Sequence, residues 1–147
     1  MKLVDSVKNI VVLSLFITPF GLSAQDKILA PTEVPGAIQS YVKKHFAGQT
    51  IAQAKLDVDG LKKEYEIKLS DQTKLEFTDK HKITKIDANK ALPASVVPQK
   101  IAQYVKANYP NHSIIEWKKD ERKQEIKLDN KLEMEFNLKG DFVRIDD

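Results

Sequence analysis

The stretch that decides the fold is EYEIKL at residues 64–69, which recurs as QEIKL at residues 124–128. In both copies apolar residues alternate with polar ones, so successive side chains point to opposite sides of an extended backbone. The same alternation occurs at residues 74–78 and 132–137. Period-two alternation is typical of antiparallel strands with one buried and one solvated face, so the sequence predicts a sheet of this kind.

An internal repeat extends outward from this stretch. The segment EIKL at residues 66–69 recurs 59 positions later, whereas TEVP at residues 32–35 matches SVVP at residues 95–98, an offset of 63. A difference of four residues near 58–61 reconciles the two offsets. Ordered matches of this kind indicate a duplication. We predict two tandem α-β-β-β-β units and a connector, at residues 25–87, 95–147 and 88–94 respectively.

Each unit is predicted to open with a helix. Thr32 and Ser95 carry hydroxyls that suit an N-cap, and the proline three residues later falls in the first turn, where a missing N–H costs nothing. Helical spacing then places one mostly apolar stripe along each helix. Gly48 and Pro110 are predicted to end the helices. The stripes consist of Ile38, Tyr41, Val42, His45 and Phe46, and of Ile101, Tyr104, Val105, Asn108 and Tyr109.

Further strands and turns complete each unit. Asp59-Gly60 and Asp129-Asn130 are hairpin turn signals. A single unit of about 60 residues would bury little core, so the two units should share one sheet. The predicted class is therefore α+β, with both helices packed on the apolar face of one curved antiparallel sheet. The additional strands are predicted at residues 51–57, 82–87, 113–119 and 141–145.

Residues 1–24 are predicted to be a cleavable signal peptide. Lys2 and Lys8 give a basic start, and an apolar run of about 11 residues follows, which is too short to span a bilayer. Small residues precede the predicted cleavage site after Ala24. An uncleaved N-terminal anchor is the alternative. After cleavage we expect a periplasmic or secreted protein with no membrane anchor.

Composition narrows the functional classes. The formal net charge is +3, and removal of Lys2, Lys8 and Asp5 with the first 24 residues leaves +2. Charges of both signs alternate without a basic block, which argues against a nucleic-acid partner. The chain has no cysteine, which excludes disulfides, thiolate metal sites and cysteine nucleophiles.

No motif in the sequence predicts catalysis or a bound cofactor. Asp57-Val58-Asp59-Gly60 is similar to the start of a calcium loop, but Lys62 and Lys63 follow where further oxygen ligands are needed, and a hairpin turn explains the segment. Nucleophile-elbow, phosphate-loop and zinc-peptidase motifs are absent from the sequence. We therefore predict no enzyme activity, no metal and no cofactor. His45, His81 and His112 lack the spacing of metal ligands.

The solvated face of the predicted sheet is the candidate partner-binding surface. It has two interpretations: a solvated face that keeps the protein soluble, and a charged surface that docks another protein. Trp117 joins the candidates, either as an exposed anchor or as a core residue. The candidate charged residues are Glu64, Glu66, Lys68, Lys74, Glu76, Lys123, Glu125, Lys127, Glu133 and Glu135.

The repeated unit resembles the β-lactamase-inhibitor-like, PepSY-like family of small secreted bacterial proteins. The resemblance implies a periplasmic protein with helices on one side of a curved antiparallel sheet. It also implies that such a sheet binds proteins, as the β-lactamase inhibitor proteins do, and that peptidases are among the expected targets. The residues that carry the resemblance are 34–38, 41–46, 51, 64–69 and 74–77, together with their second-copy equivalents.

Two functions follow as expectations. The first is a non-enzymatic module that binds an envelope or periplasmic protein, and inhibits a peptidase or another enzyme, through its exposed sheet face. The second is a protein that binds a small ligand or an ion, either between the two units or at Asp57 and Asp59.

Overall fold

A computed structural model describes residues 26–146 of the chain. The predicted signal peptide, residues 1–24, and its cleavage site lie outside the described residues. Within residues 26–146, neither helix is long and apolar enough to cross a membrane.

Nine strands form one antiparallel sheet whose spatial order follows the chain order from β1 to β9. Two α-helices and one short 3-10 helix, at residues Pro31–Glu33, complete the described fold. The helices are α1 (Gly36–His45) and α2 (Gln99–Asn108). The strands are β1 (Lys27–Ile28), β2 (Ile51–Asp59), β3 (Lys62–Leu69), β4 (Lys74–Thr78), β5 (Ile83–Asp87), β6 (Ile114–Lys119), β7 (Lys123–Leu128), β8 (Glu133–Asn137) and β9 (Phe142–Asp146).

The helices begin later than predicted, and the predicted N-caps Thr32 and Ser95 are wrong. The N-caps are Pro35 and Pro98, whose backbones are extended, with ψ of 137° and 132°. The reason is steric, because a proline disfavours helical backbone in the residue before it. Each helix therefore cannot include the residue preceding its proline, and the segment between β5 and α2 is longer than the predicted connector.

The strands follow the predicted alternation with small differences at their ends. The first long strand, β2, continues to Asp59, which pairs with Lys62 across a two-residue turn. Gly60 has a φ of +60°, a conformation that glycine adopts without steric cost. The two-residue strand β1, which the sequence analysis did not predict, pairs with β2.

One apolar row crosses the sheet from β2 to β9. The register places its members directly opposite one another on neighbouring strands, so they share one face. The β5–β6 contact joins the two halves of the sheet through the pair Ile86 and Trp117. Burial of each large side chain from Ile67 to Met134 stabilises the fold by about 1.5–3 kcal/mol. The row consists of Ala54, Ile67, Leu75, Ile86, Trp117, Ile126, Met134 and Ile145.

Side chains from both helices belong to the same buried cluster as this row. The ring of Tyr41 meets Phe77 edge-on, with ring centroids 5.3 Å apart, and Tyr104 meets Phe136 in the same way at 5.4 Å. Edge-to-face aromatic pairs add about 0.5–1.5 kcal/mol beyond the area they bury. The two contacts occupy matching places in the two halves of the chain.

The packing of α1 predicts an unusual tyrosine titration. Burial raises the pKa of Tyr41 from 10.0 to about 12. Between these two pH values the native state retains a proton that the unfolded state has lost, so the free energy of unfolding falls as pH rises. Ultraviolet titration of tyrosinate should show a late component that disappears in Tyr41→Phe. A native titration without that component would contradict the packing.

Candidate docking surface

The face opposite the apolar row is charged, and we call it the charged face. On β3, Glu66 and Lys68 flank Ile67, which lies in the apolar row, so their side chains leave from the other side of the sheet. The register pairs Glu66 with Glu76 and Lys68 with Lys74. The β6, β7 and β8 pairings continue the pattern. All ten charged residues predicted from the sequence therefore lie on one face of one sheet.

The charges form two rows, in which pairs of like charge on neighbouring strands alternate with pairs of opposite charge. In the first row Glu66 and Glu76 stand opposite each other, followed by Lys85 opposite Lys118. In the second row the signs are reversed from β3 to β7 and at β9, but on β8 both rows carry a glutamate, so Lys127 stands opposite Glu133. The complete first row is Lys55, Glu66, Glu76, Lys85, Lys118, Glu125, Glu135 and Arg144, and the second is Lys68, Lys74, Asp87, Glu116, Lys127, Glu133 and Asp146.

These same-sign pairs, which we call doublets, divide the charged face into small areas of positive and of negative electrostatic potential. A doublet of acids on β3 and β4 lies beside a doublet of lysines on the same strands. Like charges directly opposite each other destabilise a sheet, whereas opposite charges stabilise it by about 0.2–1 kcal/mol per pair. The doublets therefore carry a cost for the isolated fold.

Ion pairs offset part of this cost in the second half of the sheet. The Lys123 ammonium lies 2.8 Å from a Glu125 carboxylate oxygen and 3.1 Å from Glu135, and Arg144 lies 3.0 Å from Glu135. The bonds from Lys123 and Arg144 lower the pKa of Glu135, although partial burial opposes the shift. This acid doublet is thus neutralised internally.

The lysine doublet of β3 and β4 is compensated less directly, by Asp87, which stands opposite Lys74 in the register. Lys68 and Lys74 form no ion pair with any residue between 26 and 146. Their acidic neighbour Glu66 forms an ion pair with the buried Lys55, whose ammonium lies 3.2 Å from the Glu66 carboxylate. Lys68 and Lys74 are therefore the charges of this face that are most available to a partner.

A groove of about 670 Å³ deepens one end of the charged face. Glu64, Glu76 and Lys118 belong to both the groove and the face. Partial burial is the main cause that raises the pKa of Glu76 above its usual range. A partly desolvated carboxylate interacts more strongly with an incoming cation than a fully hydrated one. The other lining residues are Lys62, Thr78, Lys82, Ile83, Thr84, Lys119, Asp120, Glu121 and Arg122.

Several members of the face were not among the predicted residues. The predicted charges lie on β3, β4, β7 and β8, whereas the face also includes charges on β2, β5, β6 and β9. The signal was weaker on β5 and β6, because the apolar residues of ITKID at 83–87 are three positions apart and IIEWKK at 114–119 opens with two adjacent isoleucines. The omitted residues are Lys55, Lys85, Asp87, Glu116, Lys118, Arg144 and Asp146.

Trp117 does not belong to the docking surface, so its inclusion among the partner-binding residues is wrong. It lies in the apolar row, and only 4% of its surface is exposed. Its indole Nε1–H donates a hydrogen bond to the Gln124 side-chain oxygen at 3.1 Å. The structure therefore selects the core interpretation. The residue in the matching place of the first half is the smaller Ala54.

The other candidate residues have structural partners. Asp59 is part of the β2–β3 hairpin, and a hydrogen bond with Asp26 raises the pKa of Asp57. His112 Nδ1 lies 2.7 Å from Asp129, and this bond lowers the pKa of that carboxyl. His45 Nδ1 is 2.9 Å from the Ser95 hydroxyl.

Three carboxylates of the charged face approach one another closely. Ligand atoms of Glu125, Glu135 and Asp146 lie within 4.8 Å of one another, a spacing that could hold a metal ion. Lys123 and Arg144 already form ion pairs with these carboxylates, however. Lys123 pairs with Glu125 and Glu135, and Arg144 pairs with Glu135 and, at 3.2 Å, with Asp146. A divalent cation would have to displace these two groups.

The family model described as "Putative beta-lactamase-inhibitor-like, PepSY-like" matches residues 22–85 and 63–144. The chain belongs to this PepSY-like family. No curated protein matches the chain. The family resemblance inferred from residues 34–38, 41–46 and 64–69 is thereby confirmed.

Solved structures of periplasmic proteins are similar to the chain. A "putative calcium-regulated periplasmic protein" from Bacteroides thetaiotaomicron is 32% identical, with a TM-score of 0.78, over 83% of this chain and 97% of that one. A "putative periplasmic protein" from Bacteroides vulgatus is 31% identical, with a TM-score of 0.79, over 85% and 99%. A second B. vulgatus protein, of unknown function, is 32% identical, with a TM-score of 0.78, over 83% and 99%. The chain is therefore a periplasmic PepSY-like protein, and the predicted localisation is confirmed.

The core position of Trp117 predicts its fluorescence. Native emission should be blue-shifted and shielded from iodide. Gln124→Met should lower the free energy of unfolding by about 1–3 kcal/mol, because the buried indole N–H loses its acceptor. Lys119→Met, at an exposed position on the same strand as Trp117, is the matched control and should have little effect. Red-shifted, readily quenched emission from the native protein would contradict the burial.

Proposed function

We propose that the chain is a non-enzymatic periplasmic module that binds an envelope or periplasmic protein on its charged face. The observation that carries the proposal is the arrangement of charges in doublets on neighbouring strands. A face that served only solubility would gain stability from opposite charges in directly opposite places. Beside its opposite-charge pairs, this sheet keeps Glu66 opposite Glu76 and Lys68 opposite Lys74.

A partner removes the cost of the doublets when it brings the complementary charge. The half-buried Lys68 and the exposed Lys74 together fit an acidic pair on the partner, and Glu76 in the groove fits a basic residue. Complementary charges speed association and reject partners of the wrong pattern. The expected interface is therefore polar, and its affinity should fall as salt rises.

Family membership supports inhibition as the form of this docking. The family description is inhibitor-like, and the resemblance implies binding through a sheet face. We therefore propose a peptidase or another envelope enzyme as the partner class. Fold alone does not fix function, so the proposal depends on the charges of this chain.

We also infer that the sheet arose by duplication, with both helices covering its apolar face. Each half contains a helix and then four strands. The pairs Leu75–Ile86 and Met134–Ile145 occupy the same places in their halves. The family model matches the chain twice, at residues 22–85 and 63–144, and these two matches, which overlap at residues 63–85, support the same inference. Within the duplicated unit the acid doublet occurs in both halves, whereas the second half has Lys127 opposite Glu133 in the place of the lysine doublet, so the lysine doublet is specific to the first half.

Neutralising the lysine doublet tests the proposal. In Lys68→Gln/Lys74→Gln, we expect capture of the partner to fall about tenfold, which corresponds to 1.4 kcal/mol of binding free energy. The melting temperature should stay the same or rise, because a repulsive pair is removed. The measurement is crosslinking of the tagged protein in the periplasm of its host, followed by quantification of each co-purified protein.

The matched control is Lys43→Gln/Lys106→Gln, which removes the same charge from one exposed position on each helix. This variant should capture the partner as the native protein does. Equal capture by all three proteins would remove the lysine doublet from the proposed surface. The glutamates are poorer targets, because Glu66 and Glu135 hold Lys55 and Arg144.

Ion binding is the second candidate function. The specific observation in its favour is the close group Glu125, Glu135 and Asp146, together with the description of the similar B. thetaiotaomicron protein as calcium-regulated. A bound ion would raise the melting temperature with concentration. Because Lys123 and Arg144 neutralise the group, we expect no calcium-dependent rise. A rise in the native protein that is lost in Asp146→Asn would instead support ion binding.

A further inference from the structure

The edge strand β9 is a surface separate from the charged face. Within residues 26–146 it pairs only with β8. Its apolar side chains are unusually open: Phe142 is 37% exposed, Val143 51% and Ile145 42%. An exposed strand edge is a template for pairing with another chain.

Strand β5 has the same position in the first half of the sheet as β9 has in the second, but the outer edge of β5 is covered. Ile86 pairs with Leu75 as Ile145 pairs with Met134, and Lys85 pairs with Glu76 as Arg144 pairs with Glu135. The outer edge of β5 is covered by β6, and Ile86 is completely buried there. Ile145 thus occupies the same place without a neighbouring strand.

The backbone at Ile145 is oriented toward the open edge. In the first half, the Ala88 N–H donates to the Ile115 carbonyl, so Ala88 hydrogen-bonds toward β6. Amide directions alternate along an antiparallel strand, so the N–H of Ile86, two residues earlier, also faces β6. Ile145 pairs with Met134 as Ile86 pairs with Leu75, so the N–H and C=O of Ile145 point in the matching direction, away from β8 and toward the open edge.

The sequence of β9 is complementary to itself about this residue. In an antiparallel pairing of two copies centred on Ile145, each Ile145 faces the other. Each Arg144 then faces Asp146 of the other copy, so opposite charges meet on both sides of the two-fold axis. We propose that two copies of the protein associate through β9 in this register. The apolar row and the charged face then continue from one sheet into the other.

This arrangement is an isologous interface, in which the same patch contributes from both copies. Arg144 also contacts Glu135 and Asp146 in its own chain. A guanidinium has five N–H donors, so it can keep these contacts and donate to a further carboxylate. At the opposite edge of the sheet, β1 already covers part of β2, which disfavours a head-to-tail pairing.

Engineered cysteines test the register, because the native chain has none. In the proposed dimer the two Ile145 Cα atoms are about 5.5 Å apart, within the range of a disulfide. The two Val143 Cα atoms are about 13 Å apart, which is too far. With the full protein exported and purified, Ile145→Cys should form a reducible dimer under mild oxidant. Val143→Cys, at a position that is more exposed than Ile145, should remain monomeric.

Sedimentation of the native protein gives a measurement that needs no variant. Its average mass should rise toward twice the monomer mass with concentration, whereas Ile145→Pro, which lacks the outward N–H, should stay monomeric. A native protein that is monomeric at every concentration would overturn the proposal. Equal crosslinking of the Ile145→Cys and Val143→Cys proteins would overturn the register.

Discussion

The structure depends on one apolar row that crosses the sheet from Ala54 on β2 to Ile145 on β9. Its central pair, Ile86 and Trp117, joins the two halves, because β5 and β6 contact each other there. Neither half alone has enough residues for a substantial core. Side chains of both helices join the same buried cluster. Loss of the β5–β6 contact would leave two small sheets, each with an exposed edge.

The charged face is a consequence of this row. Because side chains alternate along a strand, fixing one set of residues in the core fixes their neighbours on the opposite surface. The register that pairs Ile67 with Leu75 therefore also pairs Glu66 with Glu76. Selection for the core does not determine the signs of those charges. Their arrangement in doublets is the feature that solubility alone leaves unexplained.

Much of the fold could be predicted from the sequence because alternation and turn signals are local properties. The α+β class, the alternating strands and the ten charges on one face follow from period two. Three features could not be obtained this way. The helix starts depend on the effect of Pro35 and Pro98 on the preceding residue. The short strand β1 has no periodicity of its own. The burial of Trp117 depends on its register with Ile86 and on the Gln124 acceptor.

The candidate site was only partly predictable for a similar reason. The sequence identified charged alternation, but the pairing of like charges appears only when the register of neighbouring strands is known. Lys85 and Lys118 are 33 positions apart in the chain and face each other across β5 and β6. The open edge at β9 likewise requires the strand order.

Site-specific photo-crosslinking tests the central claim most directly, namely that the charged face is the surface that binds a protein. A photoreactive residue replaces Lys74 on the charged face in one protein and Lys43 on α1 in a second, and each is irradiated in the periplasm of the host. The account predicts a discrete crosslinked protein from position 74 and none from position 43. A crosslink from position 43 alone, or the same products from both positions, would contradict it.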